Sequence, residues 1–248
     1  MKHNPVWRES VEIFFGEGHG FVPYFYMLIM LAPVEFLSLY LPSLDTQMWS
    51  GSASLFKVSS VTAMLLTVYF SLRVANQEFA PWRFKLVTRW LRDPGMTPAA
   101  VGRAQLAFLS FHVGLSLLLC LPLLIWAGAI ARTPLVSIGV TLLLLSFYAL
   151  SYGIWGLVTL VLWERRAESR QVFIRSFFFS LVFASALFYL PLNPAAFLLA
   201  YLGRQELAPL AVAGWKWSAT TVHFGFHLLI GATGLAAHRW ALGRESRR

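Results

Sequence analysis

His223 and His227 stand four residues apart in a run of apolar residues. On a helix that spacing puts both imidazoles on one face, as a metal ion or a haem iron would require. His112, in another apolar run, could complete such a site. The commoner use of polar side chains in such surroundings is a hydrogen bond between helices. Glu35 follows Pro33 in a third apolar run. A carboxylate near mid-membrane costs about 2.5–3.5 kcal/mol on insertion scales, so a substrate or proton role is the default reading. It lies close enough to the end of its run to reach interfacial water or to pair with a neighbouring helix. Tyr148, Ser151, Tyr152, Gly153, Trp155 and Gly156 form an aromatic and small-residue patch. Such a patch could line a path for an amphipathic substrate or simply pack a helix. Glu35, Tyr148, Tyr152, His223 and His227 are therefore the candidate substrate path. No Ser-His-Asp set, GxGxxG fingerprint, HExxH or paired carboxylate site occurs, so no catalytic residue is expected.

The elements that hold these residues follow from composition. The chain has 248 residues, 58% hydrophobic and 12% charged. Soluble domains are about 25% charged, so this is the composition of an integral membrane protein. Apolar stretches fall at about 21–41, 55–75, 104–128, 134–162, 174–191 and 218–238. Each is near the roughly 20 residues that a helix needs to cross hydrocarbon. Strand-like alternation is absent, and a lipid-exposed backbone must satisfy its own hydrogen bonds, so the expected class is all-α with six membrane-spanning helices. The first twenty residues are partly polar and acidic, and no cleavable signal peptide is expected there. Cys120, the single cysteine, excludes an intrachain disulfide.

With the N-terminus inside, sixteen of the 20 Lys and Arg residues fall in inner segments and four in outer ones, Lys57, Arg132, Arg204 and Lys216. That bias puts both termini in the cytoplasm. The pI of about 10.1 then reflects membrane topology rather than nucleic-acid binding. No linker or internal repeat divides the chain, so one membrane domain over 1–248 is expected.

Three pieces lie outside the spans. In PVWRESVEIFF (5–15), Trp7, Val11, Phe14 and Phe15 share one helical face, which predicts an interfacial helix within residues 1–20. In 79–92, Phe79, Trp82, Leu86 and Trp90 share a face beside Arg83, Lys85, Arg89 and Arg92. Asp93-Pro94-Gly95 then breaks the helix. Thr97 as N-cap and Pro98 at the first helical position start another, which runs past Arg103 into the third span. The result is a helix–turn–helix elbow over 79–103. Anionic lipid would account for its charge, at about 1 kcal/mol per basic residue. The ordered break and restart suits docking of a cytosolic protein. On the opposite side, Asn193-Pro194 predicts a short helix over AAFLLAYL, and Trp215 and Trp217 mark the interface before the last span.

Four segments in this order resemble the permease subunits of ABC-2 type transporters: NPVWRESVEIF, MTPAAVGRAQLAFLSFHVGLSLLLCLPLLI, WERRAESR and LPLNPAAFLLAYL. Arg103 stands where that family often has Lys, and Glu78 takes the place of an acidic residue before the first inner loop. The resemblance implies an export subunit in a bacterial inner membrane, working as a homodimer or related heterodimer. It would have no nucleotide site, and no GxxxxGK[ST] loop is present here. ATP and Mg would bind a separate cytosolic ATPase, and this chain would carry no cofactor of its own. The elbow would be the coupling helix, with Arg83, Lys85, Arg89, Trp90, Arg92 and Thr97 as contact residues. The alternative is a membrane-anchoring or haem-binding subunit of a redox complex, resting on His112, His223 and His227.

Overall fold

The structure is a computed structural model, and it describes residues 4–40, 54–212 and 215–247. It is a helical bundle with nearly no sheet. Helix α1 (Pro5–Val11) runs on into a π-helical turn (Glu12–Gly16), and α2 is Phe21–Tyr40. Then come α3 (Leu55–Ala75), the short α4 (Val87–Arg92), α5 (Pro98–Ile130) and α6 (Leu135–Leu162). Helix α7 (Ala167–Phe179) continues through a π-helical turn (Ser180–Ala184) into α8 (Ser185–Phe188). A 3₁₀ turn (Leu190–Leu192), α9 (Pro194–Gly203), strands β1 (Leu210–Val212) and β2 (Trp215–Trp217), and α10 (Ala219–Glu245) complete the chain.

Five helical stretches among the described residues are long and apolar enough to cross a membrane: Phe21–Ser38, Leu55–Ala75, Pro98–Ile130, Leu135–Leu162 and Ala167–Phe188. Helix α10, at 27 residues, is as long as these but is not among them. It carries His223, His227 and His238, all three fully buried against the bundle. The third stretch begins at Pro98 rather than 104 and the fifth at Ala167 rather than 174, because helices continue past the apolar residues into their polar ends.

Helices α3, α5 and α6 form the centre. The seam between α3 and α6 is tight because α6 has glycine where the helices cross. A Cβ on Gly156 would lie 2.4 Å from the Leu72 carbonyl oxygen, and one on Gly153 3.3 Å from Ser71 of α3 and 2.7 Å from Leu109 of α5. Small residues at helix contacts let backbones approach, which replaces the hydrophobic drive that lipid does not supply. The fully buried Tyr148, Tyr152, Leu145 and Leu160 sit along the same helix.

Helix ends follow local rules of two kinds. Asn4, Thr97, Asn193 and Ser218 cap the starts of α1, α5, α9 and α10 through their side-chain oxygens. Helices α3, α5 and α9 end on Gln77, Arg132 and Arg204, each left-handed, with φ of 56°, 52° and 53°. Each end closes with paired bonds, as in Glu78 N–H to the Arg73 carbonyl (3.0 Å) and Gln77 N–H to the Val74 carbonyl (2.9 Å).

One expectation needs correction. The helix read over 79–92 is helical only at Val87–Arg92, because the left-handed Gln77 ends α3 and residues 77–84 follow as turns. Helix α1 and the turn after it pack partly on α5: Trp7 meets Phe108 and Phe111 edge-on, and Phe14 of the π-helical turn meets Phe108. The hairpin of β1 and β2 was not foreseen either; it pairs Leu210 with Trp217 and Val212 with Trp215.

The seam makes a stability prediction. Gly156→Leu should lower the thermal midpoint of the detergent-purified chain or abolish folded yield, since overpacking costs about 1–3 kcal/mol or more. Gly139→Leu, where a Cβ meets nothing within 4 Å, should leave the midpoint nearly unchanged. Equal loss in both would show that the seam does not limit packing.

Candidate functional site

The elbow is built by long-range hydrogen bonds. Asp93-Pro94-Gly95-Met96 is a type II turn: Gly95 has φ +82°, and Met96 N–H bonds to the Asp93 carbonyl at 3.1 Å. Thr97 Oγ1 then accepts from Ala100 N–H at 3.1 Å and starts α5. Helix α4 lacks a cap of its own at Leu86. Glu164, from the turn between α6 and α7, supplies one. Its carboxylate accepts from Val87 N–H, from Thr88 N–H (3.3 Å) and from Thr88 Oγ1 (2.7 Å). Glu9 of α1 holds the other side, accepting from Lys85 N–H (2.9 Å) and Trp90 Nε1 (3.2 Å). Burial pushes the Glu9 carboxyl above the ordinary carboxylate range, and the Lys85 and Trp90 bonds pull against it. Beneath, Val6, Val87, Val101, Ala104, Val161 and Leu242 form a small apolar core joining α1, α4, α5, α6 and α10.

The six elbow residues singled out from the sequence thus divide. Arg83 makes paired hydrogen bonds to Glu17, and they hold that carboxyl below its usual range. Lys85 pairs with Asp93 at 2.5 Å and lies 4.1 Å from the centre of the Trp90 ring. Thr97 is occupied as a cap. Arg89 and Arg92 are exposed and have no ion-pair partner among the described residues. They are the cations presented outward.

A second polar cluster lies inside the bundle between α6 and α10. Tyr148 Oη is 2.6 Å from His223 Nε2, and His223 Nδ1 is 2.6 Å from the Pro191 carbonyl. A carbonyl only accepts, so Nδ1 carries the proton and the Tyr148 hydroxyl donates to Nε2 of a neutral ring. One turn along, Tyr152 Oη is 2.6 Å from His227 Nδ1. His227 Nε2 lies toward the Leu192 carbonyl but makes no hydrogen bond of normal geometry. Phe197 of α9 stacks on His223 with ring centres 3.7 Å apart.

The segment reaching this cluster is a broken helix. A π-helical turn leaves the Val182 carbonyl available, and Asn193 Nδ2 donates to it and to Ser185 Oγ (3.2 Å). Asn193 Oδ1 accepts from Ala195 and Ala196 N–H at 2.9 and 3.0 Å. One side chain therefore joins both halves of the break. Irregular backbone at membrane depth requires such internal satisfaction.

The other candidates lie apart. His112 Nδ1 is 2.9 Å from Tyr24 Oη, with Phe14 and Ser116 beside it, and none of its contacts reaches the His223–His227 pair. No group of three metal-binding side chains occurs among the described residues. Glu35 is buried with both carboxylate oxygens unpaired, near Ser59 of α3 and away from the Tyr–His pairs. Sequence reasoning missed Glu9, Glu164, Asn193 as a two-sided latch, and the pairing of Gln105 with His238 (2.9 Å). No protein-family model matches this chain, and no curated protein or solved structure matches it significantly.

The Glu164 clamp predicts a local effect. A lost hydrogen bond to a charged group is worth about 1.5–3 kcal/mol. Glu164→Ala should therefore open the elbow and speed trypsin cleavage after Arg89 and Arg92 by about tenfold, with the bundle intact. Unchanged cleavage would mean that α4 stands without the clamp.

Proposed function

We propose that the chain is the membrane subunit of an ABC-2 type transporter, driven through the elbow by a separate cytosolic ATPase. The observation that carries this reading is the elbow itself. Its backbone is held by Glu9 and Glu164, while Arg89 and Arg92 are exposed and without an ion-pair partner among the described residues. A segment that is anchored internally yet offers unpaired cations suits docking against an acidic groove and passing on its displacement. The ordered resemblance of NPVWRESVEIF, MTPAAVGRAQL, WERRAESR and LPLNPAAFLLAYL supports the same reading by analogy.

In this proposal α10 is the sixth span. Its 27 residues extend about 40 Å, and its histidines face helix partners, not lipid. Six spans put both termini with the elbow in the cytoplasm, as the distribution of Lys and Arg favours. Helix α1 then lies at the inner interface of a bacterial plasma membrane. Two copies, identical or related, pair with two ATPases that hold ATP and Mg, and the cargo is exported. In this proposal Tyr148, Tyr152, His223 and His227, buried and hydrogen-bonded in two pairs with Phe197 stacked on His223, are the polar groups nearest the path. The chain itself does no chemistry. The redox-subunit alternative is not favoured, since His223 spends both ring nitrogens on Tyr148 and Pro191.

Capture of the native complex should bring down a nucleotide-binding ATPase. The double variant Arg89→Glu, Arg92→Glu should still insert and fold, yet lose ATPase capture or coupled turnover by at least tenfold. A co-purified complex without an ATPase, or a variant complex with full coupling, would sink the assignment.

A further inference from the structure

At the elbow end, a cleft of about 650 Å³ opens between α4, the turn from α6 to α7 and the end of α10. Arg92, Arg165, Arg166 and Arg244 converge on it, with Trp163 and Trp240 in its walls. Arg92, Arg165 and Arg166 are exposed and without a carboxylate partner among the described residues, and Arg244 lies 5.4 Å from the centre of the Trp240 ring. Two carboxylates also border the cleft. Glu164 is committed to the start of α4, and Glu245 is engaged as well. Four arginines against two carboxylates leave the lining net positive, and the turn at Arg166 starts α7 without a side-chain cap.

We propose that this cleft binds the phosphate headgroup of an anionic phospholipid. Position selects lipid over a soluble anion. The cleft lies at the ends of two long helices, α6 and α10, and Val161 and Leu162 form part of its lining. An exposed apolar track leads away from it along α10. Leu229, Ala236 and Trp240 are exposed and spaced by seven and four residues, which places them on one helical face. Thr233, on that track, returns its hydroxyl to the Leu229 carbonyl at 2.7 Å and so leaves the track without an unsatisfied polar group. An acyl chain lying on this track brings its phosphate to Arg244 and Arg165. Guanidinium groups match phosphate oxygens in paired hydrogen bonds, and basic pockets between membrane helices hold such headgroups. The proposal needs α6 and α10 to cross a membrane, and it needs no ATPase.

Native mass spectrometry of the full chain, titrated with phosphatidylglycerol or phosphatidylcholine, tests it. The unmodified chain should prefer phosphatidylglycerol by tenfold or more. Arg165→Gln, Arg166→Gln, Arg244→Gln together should bring the preference within twofold of parity, and the matching Lys triple variant should keep most of it. Inorganic phosphate at millimolar concentration should not displace the lipid. The proposal fails if the unmodified chain shows no preference, a result that does not depend on the variants folding. It also fails if the glutamine variant retains the preference, or if free phosphate displaces the lipid. Unaltered lipid binding with lost ATPase capture would assign the cleft to a protein contact and overturn it. The coupling assignment is read from ATPase capture, so either reading can fail alone.

Discussion

A polar group inside this bundle has no water to turn to, and the hydrogen bonds that its histidines, tyrosines and Asn193 find within the protein set how the helices fit together. Apolar packing between helices gains little where lipid tails are as apolar as leucine. A buried hydroxyl or imidazole without a partner costs free energy at once. The Tyr148–His223 and Tyr152–His227 pairs therefore set the rotation of α10 against α6, because only one face of α10 brings both histidines to both tyrosines. His238, further along α10 and also buried, meets Gln105 of α5 and fixes the other end of the same helix. Three polar contacts over four turns leave α10 one register. The break between α8 and α9 obeys the same rule. Asn193 takes up the backbone groups that a π-helical turn and a helix start would otherwise leave bare.

The elbow meets the opposite condition. It lies outside the apolar part of the bundle, where water would satisfy its backbone, yet its polar groups are tied to α1 and to the turn after α6. Order there exceeds what solvation demands. Exposed ion pairs such as Arg83 with Glu17 add little to stability. The partly buried carboxylates Glu9 and Glu164 are different in kind, since each accepts backbone N–H groups and so fixes the path of the chain. A loop that only had to bind lipid by charge would not need them.

How much of this was legible in the sequence depended on the range of the interaction. Asn193-Pro194, Thr97-Pro98 and Asp93-Pro94-Gly95 announced a cap, a second cap and a turn, because each acts through its own neighbours. Apolar length placed the long helices, though their polar extensions escaped it. Helix ends at Gln77, Arg132 and Arg204 gave no sign, since no glycine marks the left-handed residue. That hid the end of α3 and let a helical pattern over 79–92 be read where turns lie. The His223–His227 spacing correctly put two rings on one face but could not say what faced them; the partners are 75 residues away on α6. Glu9 and Glu164 gave no sign of their role for the same reason, since the N–H groups they accept from lie 76 and 77 residues away. Glu35 was visible as an oddity, and it stays one: its oxygens are buried and unpaired.

Helix α5 connects the two ends of the molecule. It runs without a break for 33 residues, about 50 Å, from the Thr97 cap to Ile130. Its first turns carry the elbow, its middle carries His112 against Tyr24 of α2, and near its far end Gly128 lies under Ile138 of α6. The elbow is therefore joined to the bundle by one continuous helix rather than by a chain of loops. Pro122 weakens the helix at one place only, beyond the His112 contact, because its ring removes a backbone donor and crowds the preceding turn. The one backbone donor missing from the interior of α5 is thus in its last third. The segment from the elbow to His112 has no such interruption, and α1 packs its Trp7 against Phe108 and Phe111 on it.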